Sequence, residues 1–256
     1  MSTATASTAR TSPAVAMLRT EARLMLREPG TMFWIVLFPT ILLSILGAIP
    51  SFREPDETLG GIRVIDLYVP IAILLSAIMA SLMSMPAVIS GYRENQVLRR
   101  YATTPARPTH ILMAQWIIHG AGILAGSVLA VAVGRIIFDV ALPGAPLTYL
   151  GLFVLAVLAN LSMGGLISGL APSSKASAAI GTVVFFPAMF TAGVWVPVTV
   201  LPGLLGDLVA LTPNGAAALA LDEAAAGRAP DLLHVLVLLA WTFGLGALAA
   251  RYFRWE

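Results

Sequence analysis

A chain of 256 residues that is 58% hydrophobic and only 11% charged has too little polar side chain to coat a water-soluble globule. A net charge of +2 gives no footing for nucleic-acid binding, and the lack of cysteine excludes disulfides, thiolate catalysis and cysteine-ligated metal. The apolar residues come in long blocks rather than in alternation, which predicts an all-α membrane protein and not a barrel.

In chain order, residues 1–12 are Ser, Thr and Ala with one Arg, a composition that predicts a disordered tail ahead of a single transmembrane domain over 13–256. No short apolar core with a cleavage site is visible in this leader, so a cleavable signal is not expected. Over 14–27, Val15, Leu18, Ala22, Met25 and Leu26 fall on one side at helical spacing, beside a stripe of Arg19, Arg23 and Arg27. That pattern predicts an amphipathic helix in the headgroup layer, separated from the first crossing by Glu28-Pro29-Gly30.

A helix needs about 20 apolar residues to cross the hydrocarbon, and the segments long enough predict six crossings: 32–49, 67–89, 111–137, 147–170, 176–194 and 232–250. Between the second and third lies a basic loop, 92–105, in which Glu94, Leu98 and Tyr101 sit at helical spacing before Pro105. It predicts a short amphipathic helix parallel to the membrane. His119 and Arg135 in the third crossing are the ionisable groups at membrane depth. A neutral His119 hydrogen-bonded to a neighbouring helix, and Arg135 paired with Asp139 one turn on, account for both. Gly122 with Gly126, and Gly165 with Gly169, have the spacing for close helix contact.

From Gly193 to Asp231 the chain is apolar but broken by Pro197, Pro202 and Pro213. A seventh crossing would carry Arg251 and Arg254 to the outside, against the rule that cytoplasmic flanks retain positive charge. We therefore expect an outer re-entrant or interfacial helix pair at 201–211, with Trp195 at the interface. The same rule places Arg19, Arg23, Arg27, Arg93, Arg99, Arg100, Lys175 and both chain ends in the cytoplasm, leaving Arg53, Arg63, Arg135 and Arg228 outside.

The run Tyr92-Arg93-Glu94, followed by Val97-Leu98-Arg99-Arg100 and Thr103-Thr104-Pro105, resembles the loop signature of ABC-2-type permeases, in particular the drug- and lipid-exporting branch that includes daunorubicin-resistance permeases. The segment with Gly193, Trp195, Pro197, Pro202 and Pro213, and the tail Phe253-Arg254-Trp255, are similar to the same family. The resemblance implies a non-catalytic permease subunit of an ATP-driven exporter in the cytoplasmic membrane, moving a hydrophobic or amphipathic drug, lipid or glycolipid. It implies that 92–105 is a coupling helix docking on a separate nucleotide-binding ATPase subunit, present in two copies and carrying ATP and Mg. A second permease copy or close paralogue completes the pathway, for which Phe33, Phe38, Met79, Met83, Phe185, Phe186 and Met189 are candidate lining residues. No catalytic group, metal or cofactor is expected on this chain, since its lone lysine, Lys175, is not in a phosphate-binding loop. An ion-driven secondary transporter or channel is the alternative, and it would call for buried carboxylates or an inverted repeat.

Overall fold

The computed structural model describes residues 12–103 and 108–253. The expected tail up to residue 11, Thr104, Pro105 and the Arg254-Trp255 end lie outside the described residues.

Helix α1 (Pro13–Leu26) opens with Ser12 as its cap, the hydroxyl accepting from the Val15 amide, and with proline at its first position, where a missing N–H costs nothing. It stops at Arg27, and Pro29 starts α2 (Pro29–Gly47). The arginine stripe faces outward as the spacing predicts, but the buried side differs: Met17 and Glu21 are fully covered while Val15 and Leu26 are exposed. A linker with a two-stranded ribbon (Pro55–Asp56 against Ile62–Arg63), turned by Gly60 and Gly61 at positive φ, leads into α3 (Val64–Glu94).

Thirty-one residues in α3 correspond to about 46 Å of helix, longer than the ~30 Å hydrocarbon. It is the hub of the bundle, with Ile65, Leu74, Ile78, Leu82, Met85 and Ile89 all buried. Its last turn ends where Gln96 takes a left-handed conformation (φ 60°) and hands over to the short α4 (Val97–Ala102). Then come α5 (Pro108–Phe138), α6 (Pro146–Leu170) and α7 (Ser174–Thr191). The chain closes with α8 (Gly203–Ala210), α9 (Pro213–Ala225) and α10 (Leu232–Tyr252).

Among the described residues five helices, α2, α3, α5, α6 and α10, have the length and apolarity to cross a membrane. The predicted fifth crossing, 176–194, is α7: it begins at Ser174 with Lys175 in its first turn and falls outside that set. Its neighbours nevertheless lie at both ends of the bundle. Ser174 binds Glu94, at one end of α3, while Val194 accepts a 3.2 Å hydrogen bond from Tyr68, near the other. Eighteen residues give about 27 Å, close to a hydrocarbon thickness.

The proline-broken stretch folds as the α8–α9 pair, bent by 96°. The re-entrant element runs further than the expected 201–211, because α9 is part of it. Trp241 donates to the Leu211 carbonyl at 3.0 Å, and Asn160 donates to Asn214 Oδ1 at 2.9 Å. Trp241 is nine residues into α10 and Asn160 fourteen into α6, so the tip of the pair lies ~14–21 Å down the bundle. From there α9 climbs back, and the Gly144 amide reaches the Ala225 carbonyl at 2.9 Å. Irregular backbone at that depth requires cover, and α9 has it: Asn214, Gly215, Ala216, Ala217, Ala220, Leu221 and Ala224 are buried.

Candidate functional site

Two regions hold the predicted site residues. The first is the end of the bundle where α1, the last turn of α3, α4 and the start of α7 meet. Tyr92 donates to Glu21 on α1 at 2.8 Å. Arg93 reaches the opposite way, its guanidinium donating to the Ala171 carbonyl at 2.6 Å and to Ser168 at 3.2 Å, where α6 leaves its last carbonyls unpaired. Glu94 caps α7, accepting from the Ser174 amide at 2.8 Å and its hydroxyl at 2.7 Å. A carboxylate suits a helix N-terminus, whose free amides carry partial positive charge. These three residues, expected to face a partner, are each tied to another helix of this chain, with Glu94 exposed and Tyr92 and Arg93 partly buried.

What remains outward is α4. Leu98 is fully buried and Tyr101 partly so, which fixes the helix to the bundle, while Arg99 and Arg100 are exposed. Thr103 is exposed and its hydroxyl closes the helix end on the Arg100 carbonyl at 2.8 Å.

Beneath this platform is a polar cluster in which Tyr92 and His119, both singled out from sequence, meet Glu21, Gln115 and Ser84, which were not. Glu21 Oε2 accepts from both Tyr92 and Gln115, at 2.8 and 2.6 Å, while Oε1 is buried without a partner. Burial holds this carboxyl above the usual carboxylate range, and the hydrogen bonds from Tyr92 and Gln115 offset the rise only in part. His119 completes the cluster as a neutral ring. Its Nδ1 donates to the Gln115 carbonyl at 2.9 Å, which leaves Nε2 to accept from the Ser84 hydroxyl at 3.1 Å. Arg135 pairs with Asp139 at 2.7 Å, as its spacing predicts.

The second region holds the candidate lining residues. Phe33 lies at the start of a π-helical segment of α2 (Phe33–Leu37), with Phe38 just after it, and Met79 and Met83 lie in a second such segment of α3 (Met79–Ser84). The two segments touch each other, and the second also touches α7, which carries Phe185, Phe186 and Met189. The seven therefore sit on elements that adjoin one another. Phe186 is 55% exposed and stacks on Trp195 with 6.4 Å between centroids, and Trp34 bridges Phe33 and Phe38. Gly193, at φ 84°, makes the turn that brings Trp195 back beside α7, and Pro197, Pro202 and Pro213 each precede or open a short helix.

No curated protein matches this chain. The family model described as ABC-2 type transporter matches residues 14–216, from α1 through the start of α9. That match takes in the α4 loop, every crossing helix before α10 and the descending arm of the broken pair, and the chain belongs to the ABC-2 type transporter family.

Proposed function

We propose that this chain is the permease subunit of an ATP-driven exporter in the cytoplasmic membrane, working as a pair of permease chains engaged by two copies of a separate ATPase. As the membrane component of a transporter it supplies the crossings; ATP and Mg act on the partner. The cargo is a hydrophobic or amphipathic molecule of the drug, lipid or glycolipid kind. Residues 13–256 act as one transmembrane unit, with both chain ends and α4 in the cytoplasm by the distribution of arginine.

The observation that carries this reading is the mounting of α4. Two exposed arginines stand on a helix anchored by the buried Leu98, and the adjoining turn of α3 is bonded to α1, α6 and α7. A partner holding Arg99 and Arg100 in an acidic groove would displace four helices at once rather than bend a loop. Differential binding of the partner to two states of the bundle is the thermodynamic requirement, and a rigid mount satisfies its mechanical half. Of the lining candidates on α2, α3 and α7, Phe33 and Phe186 are exposed and the others half-buried, and a second copy packed against this side would enclose a path.

The test is the charge reversal Arg99→Glu with Arg100→Glu. In the purified complex we expect normal insertion and basal ATP hydrolysis but loss of the hydrolysis stimulated by cargo. Stimulated hydrolysis at the wild-type level would remove α4 as the docking element.

A further inference from the structure

Away from the lining candidates, α5 and α6 are separated by a groove. Its wall on α5 advances by helical turns through Met113, Ile117, Gly120, Leu124, Val128 and Val131, so it extends over ~27 Å, close to the hydrocarbon thickness. The half nearer the α1 end is a cavity of about 350 Å³. It continues past Leu124, Leu150 and Phe153 into one of about 500 Å³ that is almost wholly apolar. At Tyr149 and Leu142 this opens into a third, about 260 Å³, and there the chemistry changes: Asp66, Asp222 and Arg228 line it.

These charges are not equally committed. Asp66 is held by the Arg63 guanidinium through two contacts of 2.7 and 2.8 Å. Among the described residues Asp222 pairs with the Arg228 guanidinium alone, 3.8 Å away, and Arg228 is two-thirds exposed. A pair that long leaves the carboxylate able to accept from a cation and the guanidinium able to hold an anion. One carboxylate and one guanidinium beside each other, at the mouth of an apolar slot as deep as a bilayer, match an amphiphile whose head carries both signs.

We propose that the α5–α6 groove binds a zwitterionic glycerophospholipid of the surrounding membrane. Its acyl chain lies along Val128 and Leu124, its ammonium sits on Asp222 and its phosphate on Arg228. The site shares no residue with Phe33, Phe38, Met79, Met83, Phe185, Phe186 or Met189, so it is a lateral lipid site apart from the proposed path and does not depend on that path being correct. A second copy of the chain is the competing occupant. It would have to place charges of its own opposite Asp222 and Arg228, whereas the exposed rim of α6, Leu147, Leu150, Val154 and Leu158, is uniformly aliphatic.

The experiment uses the full chain, stripped in detergent and then offered phosphatidylethanolamine or phosphatidylglycerol, with retained lipid counted by native mass spectrometry. Wild type is expected to retain one phosphatidylethanolamine per chain and to prefer it over phosphatidylglycerol. Asp222→Asn should lower that occupancy roughly tenfold, the size of one charge-assisted contact. Leu150→Trp, at a half-exposed rim position, should lower occupancy for both lipids and keeps the question open to decision if the Asp222 variant does not fold. Equal retention of the two lipids, or retention unchanged in Leu150→Trp, overturns the proposal. So does disulfide cross-linking between copies through Leu150→Cys in native membranes, since the chain has no other cysteine.

Discussion

Glu21 is 2% exposed, and a buried carboxylate is tolerated when its lone pairs are engaged. Oε2 has two donors; Oε1 has none, and that is the oxygen on which a proton reduces the desolvation cost without disturbing Tyr92 or Gln115. Since burial raises its pKa in the folded chain, the folded state binds the proton more tightly than the unfolded one. Stability from this site is therefore complete below the ordinary carboxylate range and is lost as pH rises through the raised value. Thermal unfolding in detergent should show wild type weakening over that interval and Glu21→Gln nearly flat across it. Glu21→Ala, which leaves Tyr92 and Gln115 without their acceptor, should lose about 1–3 kcal/mol at every pH. The signal for this residue was present in the sequence. Glu21 stands three residues after Leu18 and four before Met25, on the face that the spacing assigns to the apolar side. What could not be seen was Gln115, ninety-four residues away, whose amide makes the burial tolerable.

The π-helical stretch of α3 is an element-scale problem with an element-scale answer. A bulged turn pushes carbonyls off the regular ladder, and here two neighbours make room with glycine. A Cβ on Gly164 of α6 would collide with the Ser81 carbonyl oxygen, and one on Gly181 of α7 would meet the Leu82 carbonyl at 2.5 Å. The bulge on α2 repeats the device, with Gly126 of α5 against the Ile35 carbonyl, which also accepts 2.6 Å from the Ser76 hydroxyl. Gly164→Ala should thus destabilise the purified protein by about 1–3 kcal/mol through overpacking. Gly151→Ala, on the same helix with open space around it, should be neutral or slightly stabilising. Equal melting temperatures for the two variants would mean that α3 relaxes freely at the bulge. Of these contacts, the Gly122 and Gly126 pair was legible as a spacing, and Gly165 and Gly169 do pack on Ala249 and Tyr252. Gly164 and Gly181 belong to no motif, because their need arises from where another helix bulges, which local sequence does not encode.

For the whole molecule, the distribution of arginine assigns each end of the bundle an expected side, since charge asymmetry across a bilayer is an additive property of loops. Depth was not readable. The prolines announced that 193–231 breaks, but how far it dips depends on Asn214 finding Asn160 and Leu211 finding Trp241, pairings between segments far apart in the chain. Two topologies are compatible with the same helices: a re-entrant pair with both flanks on one side, or a seventh crossing made of two pieces. Contacts at both flanks favour the first, because Val194 meets Tyr68 near the start of α3 and Ala225 meets Gly144 just before α6. An otherwise cysteine-free chain makes the distinction clean. In intact cells an impermeant maleimide should modify Glu57→Cys, Val200→Cys and Arg228→Cys alike, and reach Arg99→Cys and Arg23→Cys only after permeabilisation. Labelling of Val200→Cys and Arg228→Cys from opposite faces would turn the α8–α9 pair into a crossing. It would also send α10 the other way through the bilayer, reversing its direction against α6.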